Sequence, residues 1–212
     1  MILYRCWRRT MKTLPEDILA HARSLPEGGI VSPKAFLHLG SRSAIDQALS
    51  RLAREGKLLR VARGAYVAPV TGRFGTRPPA PSKVVESLAI QNGETVVPHG
   101  ATVANAFGLT QQVPIREAYV TSGRTRKIRL GRAEILVKHG PGWMLTLGNC
   151  PAGNAIRALA WLGPRLARQS VPIVRRTLSG DEWAALTTVR ASLPSWLARA
   201  IGEEASNGRA VS

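Results

Sequence analysis

Residues 41–67 constrain this chain more than any other stretch. Ser41 is a helix-capping residue type, and Ile45, Ala48, Leu49 and Leu52 then recur at the spacing of one helical face until Gly56 supplies a stop. The other face reads Arg42, Ser43, Asp46, Gln47, Ser50, Arg51 and Arg54. Beyond the glycine, residues 57–62 and 65–67 read as two strands joined by a turn at Arg63-Gly64. A helix that is apolar on one side and polar-cationic on the other, followed at once by a hairpin, fits few small folds.

The preceding residues narrow the choice. Thr13 and Glu16 stand three apart, as in a capping box, and Ile18, Leu19, Ala22 and Leu25 follow on one face, which predicts a helix over 14–25. Gly28-Gly29 ends it, Ser32-Pro33 starts a short second helix around Phe36 and Leu37, and Gly40 stops that one. Three helices and a hairpin are the parts of a winged helix-turn-helix, expected over 12–70. In such a domain the third helix enters the major groove of DNA. Arg42, Ser43, Gln47 and Ser50 are then the expected base readers, with Arg51 and Arg54 placed for bases or flanking phosphates. The helix start at Ser41 adds backbone donors for a phosphate, and Lys57, Arg60, Arg63 and Arg73 are expected on the backbone. Any surface helix has a polar side; the hairpin that follows is what favours the DNA reading.

Charge points the same way. The chain of 212 residues carries 30 Lys and Arg against 13 Asp and Glu, a net +17, which favours a polyanionic partner. Its basic residues are mostly arginines spread through folded-looking segments, so duplex DNA is a better partner than a membrane surface. No apolar run is long enough to span a bilayer, and residues 1–10 lack the apolar core and cleavage site of a signal peptide. The expectation is a cytoplasmic, nucleoid-associated protein with a disordered extension over 1–11, translated from Met1 or from Met11. Two cysteines, Cys6 and Cys150, fit a reducing compartment without disulfides.

Residues 71–82 are rich in Pro and Gly and lack periodicity, and they read as a linker. A second domain is expected over 83–202, followed by a polar, frayed tail over 203–212. Its parts are helices around Val84–Val85–Leu88 and over 102–107, 154–162, 181–190 and 195–201, with strands over 117–121, 126–130 and 133–139. The short turns between those strands predict a small antiparallel meander. The fold class is therefore α+β, a winged helix-turn-helix followed by helices around a small antiparallel sheet. Arg124, Arg126, Lys127 and Arg129 on the meander, and Arg157, Arg165, Arg168, Arg175 and Arg176 near the later helices, are candidates for further phosphate or partner contacts.

Enzymatic chemistry has little support. His21, His38, His99 and His139 lie far apart, and none stands at metal-ligand spacing with a cysteine. Cys150 lacks a flanking nucleophile motif and reads as structural, and the run Ser122-Gly-Arg-Thr-Arg126 lacks the Gly-Lys-Ser/Thr ending of a phosphate loop. No catalytic residue, metal or cofactor is expected. Of the five tryptophans most are expected in the core, with one or two available for a dimer or partner surface.

The runs Ala48-Leu-Ser-Arg-Leu52, Glu55-Gly-Lys-Leu58 and Arg60-Val-Ala-Arg-Gly-Ala-Tyr66 resemble the winged-helix signature of the AbiEi-type antitoxins of type IV toxin-antitoxin systems. The likeness continues more weakly through His99-Gly100, Ala106-Phe-Gly-Leu109, Gln112-Val-Pro114 and Arg157-Ala-Leu159. This resemblance implies an N-terminal domain that represses its own promoter at inverted repeats, and a C-terminal domain that counters a nucleotidyltransferase-like toxin. Monomer and dimer both stay open. The alternative reading is an RNA-binding or protein-bridging basic module without sequence-specific DNA binding.

Overall fold

The computed structural model describes residues 13–73, 75–112 and 116–207. The extension expected over 1–11, with Cys6 and Trp7, lies outside the described residues, as do Val113, Pro114 and positions 208–212 of the expected tail. Two units divide the chain: one takes in the residues up to Ser87 with Arg129–Gly131, the other Leu88–Ile128 and the residues from Arg132 onward.

The first unit starts with α1 (Leu14–Ser24), where the Glu16 carboxylate accepts the Thr13 N–H at 2.7 Å, satisfying one of the donors that a helix start leaves open. A single 3-10 turn (Pro33–Phe36) follows, and then α2 (Arg42–Arg54), capped by Ser41 Oγ accepting the Ala44 N–H at 3.3 Å. The expected apolar stripe is the buried one. Ile45, Leu49 and Leu52 pack with Ile18, Ala22, Val31, Phe36, Leu58 and Tyr66 into one cluster. Each such aliphatic or aromatic side chain removed from water contributes about 1.5–3 kcal/mol, so this cluster is what holds α2 with its polar face outward.

Strands β1 (Leu59–Ala62) and β2 (Ala65–Val67) pair antiparallel, and Gly64 takes the positive φ of 69° that their tight turn requires. Val31 exchanges both backbone hydrogen bonds with Tyr66, at 2.7 and 3.0 Å, which ties the segment before the 3-10 turn to the hairpin.

Residues 70–77 depart from the expected linker. They form a second antiparallel hairpin, β3 (Val70–Gly72) and β4 (Gly75–Arg77), before α3 (Pro81–Asn92) begins. Neither strand buries a residue, so the apolar-polar alternation by which a strand is recognised was never there to read. One carboxylate anchors the far end: Glu27 accepts from Arg77 Nη1 and from the Ala80 N–H, each at 2.9 Å, and these bonds hold its carboxyl below the usual range. Gly28, at φ 81°, packs so closely that a Cβ there would meet the Lys83 carbonyl carbon at 2.7 Å.

The second unit is built on a four-stranded sheet of β5 (Val96–Pro98), β6 (Ala118–Thr121), β7 (Arg126–Leu130) and β8 (Ala133–His139) in the order β5-β6-β8-β7. This corrects the antiparallel meander. β5 and β6 run antiparallel, but β6 and β8 run parallel, with Ala118 opposite Leu136 and Thr121 opposite His139. The β7–β8 hairpin is there, yet it folds so that its second strand, which alternates buried Ile135 and Val137 with more exposed neighbours, takes the inner place. The three-residue β5 was too short to be seen in the sequence.

Helices α4 (Gly100–Ala106), α5 (Pro151–Thr177), α6 (Gly180–Thr188) and α7 (Ser195–Asn207) complete the unit. Gly100 lets α4 approach α5 against the Arg157 carbonyl and Trp161 Cβ, leaving no room for a side chain. α5 is two segments: Gly163 (φ 75°, ψ 172°) interrupts it where Gly163-Pro164 was expected to end it, and the chain then resumes the helix. Proline fits there because the first positions of a helical segment need no N–H partner. The expected box of Ser179 and Glu182 is formed in both directions, at 2.8 and 3.3 Å. α7 extends past the expected fraying point, since Ala205 packs on the core and Glu203 pairs with Arg168 at 3.0 Å. Leu159, Val171, Trp183, Leu186, Leu197 and Ile201 lie in that core. The fold is α+β, with seven α-helices among the described residues.

Candidate functional site

The exposed side of α2 forms the wall of an open concavity of about 1020 Å³, lined also by Leu14 and Pro15 at the start of α1. Arg42, Ser43, Gln47, Ser50, Arg51 and Arg54 all line it, together with Asp46. Ser41 is not in the wall; its hydroxyl oxygen is spent on the Ala44 N–H. Thus six of the residues singled out on this helix come together on one surface, because burial of Ile45, Ala48, Leu49 and Leu52 turns the remaining positions outward.

The charges on this surface are not all alike. Arg42 Nε donates to Asp46 Oδ2 at 2.9 Å, and Lys57 Nζ lies 2.7 Å from Glu55 Oε2. The Lys57 hydrogen bond is the main cause holding the Glu55 carboxyl below its ordinary range. Arg51, Arg54, Arg60 and Arg63 are exposed and make no salt bridge among the described residues. Arg60 lies on β1, Arg63 in the β1–β2 turn, and Arg73, also exposed, directly follows β3. Arg51, Arg54, Arg60 and Arg63 gain most from a partner that brings its own negative charge, since none of the four forms a salt bridge among the described residues.

The four basic candidates over 124–129 split in two pairs. Arg126 is turned inward: its Nη2 lies 2.7 Å from Glu94 Oε2, and the same carboxylate accepts from Thr121 Oγ1 at 3.1 Å. Lys127 pairs with Glu134 at 3.2 Å, a carboxylate shared with Arg116 at 3.5 Å. Arg124 and Arg129 are exposed and make no salt bridge among the described residues. Arg157, grouped with the outward-facing arginines by sequence, is instead only 1% exposed. Its Nη1 donates to the Met144 carbonyl at 2.9 Å and its Nη2 to Asn154 Oδ1, with no carboxylate partner among the described residues, and burial pushes its pKa down to about 10. It is a structural strut rather than a phosphate contact. No sequence signal separates it from its neighbours, because an Arg three residues after an Asn on a helix is common on surfaces.

Two of the residues weighed for catalysis serve as helix caps. Cys150 Sγ accepts the Gly153 N–H at 3.4 Å at the start of α5, and His99 Nδ1 accepts the Ala101 N–H at 3.3 Å at the start of α4. Burial, and then the nearby Lys138, hold the His99 imidazole below its ordinary value of 6.5. His139 Nδ1 lies 2.9 Å from the Gly123 carbonyl, and among the described residues no group of three His, Cys, Asp or Glu side chains is placed to hold a metal. Among the same residues no helix is long and apolar enough to cross a membrane.

Comparison with curated proteins gives no match. A family described as being of unknown function, DUF6088, matches residues 17–171, well over half of the chain, including most of α1, all of α2, the second unit's sheet, α4 and most of α5, but neither α6 nor α7. The chain is therefore a member of the DUF6088 family of unknown function.

Proposed function

We propose that this protein is a sequence-reading DNA-binding repressor whose first unit is a winged helix-turn-helix, with α2 in the major groove and the β1–β2 hairpin as its wing. The observation that carries this reading is the single exposed surface on which Arg42, Ser43, Gln47, Ser50, Arg51 and Arg54 meet, a mixture of guanidinium, amide and hydroxyl groups suited to base edges. Arg60 and Arg63 on the hairpin supply unpaired charge for the flanking phosphates. The net charge of +17 supports the same partner and a cytoplasmic, nucleoid-associated location.

The likeness of residues 48–66 to AbiEi-type antitoxins supports a finer proposal. The protein represses its own promoter at inverted repeats, and its second unit counters a nucleotidyltransferase-like toxin. Fluorescence anisotropy on the chain's own upstream DNA and on a scrambled duplex, at two salt concentrations, tests the DNA reading. Tighter binding to the upstream DNA that persists at the higher salt supports a sequence-reading repressor; equal and equally salt-sensitive binding to both overturns it and favours an RNA-binding or protein-bridging module. Co-expression with the neighbouring gene product tests the antitoxin role, and failure to restore growth overturns it.

A further inference from the structure

A second cavity, of about 480 Å³, lies wholly within the second unit, between the end of α5, α6 and α7. Three charged side chains line it: Arg175, Arg190 and Glu204. None of the three forms a salt bridge with another, or with any other described residue. Opposite charges around one small cavity ordinarily collapse into ion pairs unless each is held back, and here the two guanidinium groups are held. Arg175 rests over the ring of Trp183, 5.3 Å from its centroid, a stacking that costs it none of its N–H donors. Arg190 lies across Gly202, whose missing side chain leaves room for it: a Cβ there would meet Arg190 Nη1 at 3.1 Å. Thr187 and Thr188 also line the cavity, with both hydroxyl protons already donated to the Ala184 carbonyl, so their oxygens can only accept.

We infer that this cavity receives a single carboxylate from a protein partner, an Asp or Glu side chain, held between Arg175 and Arg190. Guanidinium groups present parallel N–H donors that match a carboxylate edge, and two of them around one cavity make the strongest class of neutral-pH hydrogen bond. The volume suits a side chain and a little backbone. Glu204 sets the selectivity. With two cations and one anion the cavity carries a net charge near +1, which matches a carboxylate and leaves a phosphate dianion in excess, and like-charge juxtaposition is an effective way to reject a wrong partner. This inference uses no residue of the α2 surface and stands or falls apart from the DNA reading.

The test uses the full-length protein and the tripeptide acetyl-Gly-Glu-Gly-amide, with its Gln counterpart and inorganic phosphate as controls, followed by NMR of the arginine side-chain and tryptophan indole N–H signals. The expected result is saturable movement of the Arg175, Arg190 and Trp183 signals with the acidic peptide, none with the amide peptide, and weaker binding of phosphate. Arg190→Gln, at an exposed position, should weaken the peptide by about tenfold while leaving affinity for DNA unchanged. Glu204→Gln should raise phosphate affinity to at least that of the peptide. The inference is overturned by an absence of saturable movement, by phosphate binding as tightly as the peptide in the unaltered protein, or by indifference of peptide binding to Arg190→Gln.

Discussion

The Nε–H of Arg42 donates to Oδ2 of Asp46 at 2.9 Å, one turn along the exposed face of α2. The pair is half exposed, so its own contribution to stability is small. Its effect lies in geometry: the carboxylate fixes the plane of the guanidinium while both Nη groups stay without a protein partner among the described residues. A bidentate contact to guanine needs those two groups and a defined plane. Asp46→Ala is therefore expected to act in opposite directions on two substrates. Binding to random duplex should tighten, because a negative charge leaves the surface, while binding to the specific site should weaken by about 1 kcal/mol as Arg42 loses its orientation. Anisotropy on both duplexes reads this, and tightening on both would show that Asp46 acts as a charge alone.

Arg42→Ala and Arg63→Ala should separate base reading from phosphate contact. The first should cost about 1–3 kcal/mol on the specific site and relax preference at one base step. The second should weaken all duplexes alike and reduce the slope of log affinity against log salt by about 0.9. Equal losses on specific and random DNA for both variants would remove α2 as the reading element.

Stability should fall in mild acid because of His99. Its imidazole is held below 6.5 when folded, by burial and then by Lys138, so the unfolded chain takes up this proton first as pH drops. The stabilisation is complete above 6.5 and is lost progressively as pH falls through the folded value. Protonation also removes the Nδ1 lone pair that accepts the Ala101 N–H. His99→Asn retains a capping acceptor without the titration, and it should flatten the dependence of chemical-denaturation midpoint on pH just below neutrality. An unchanged slope in that variant would assign the acid sensitivity to other groups.

Gly28→Ala should destabilise the first unit by about 2–4 kcal/mol, because the φ of 81° disfavours any side chain and the new Cβ would press on the Lys83 backbone. Thermal unfolding measures this. In contrast Gly56→Ala, also at positive φ but with open space around it, should cost only the conformational strain, about 1–2 kcal/mol.

Arg157→Ala should be costlier than the same change at Arg165 or Arg168, on the order of 3–5 kcal/mol, because it leaves the Met144 carbonyl and the Asn154 side chain unsatisfied beside a cavity. Arg165→Ala, on the exposed side of α5, should stay within about 0.5 kcal/mol. Chemical denaturation of the three variants gives the comparison directly.

What could be read beforehand follows from how each element is held. α2 was legible down to its cap because its stripe, Ile45 to Leu52, is buried on one side only, and a one-sided burial leaves a period in the sequence. The β3–β4 hairpin buries neither face, and so it left none. Sheet order was hidden for another reason: Ala118 and Leu136 are partners across parallel strands, and no local pattern in either strand encodes which neighbour it takes. The residues of the candidate surface were found because they share one helix face. Their pairing was not, since whether Arg42 or Arg51 meets an acid depends on rotamers rather than on spacing. The inward turn of Arg126 and the burial of Arg157 likewise depend on Glu94 and Met144, residues 32 and 13 positions away.

The interruption of α5 at Gly163 also has a mechanical meaning. A continuous helix of 27 residues would be a lever roughly 40 Å long, and a push on one end would be delivered almost undiminished to the other. With one residue out of helical geometry in the middle, followed by a proline that donates no hydrogen bond back across the gap, the rod becomes two shorter bars joined at a bend. Two bars can follow a curved core where one straight rod could not, and both do: Leu159 of the first and Val171 and Val174 of the second are buried in the same cluster.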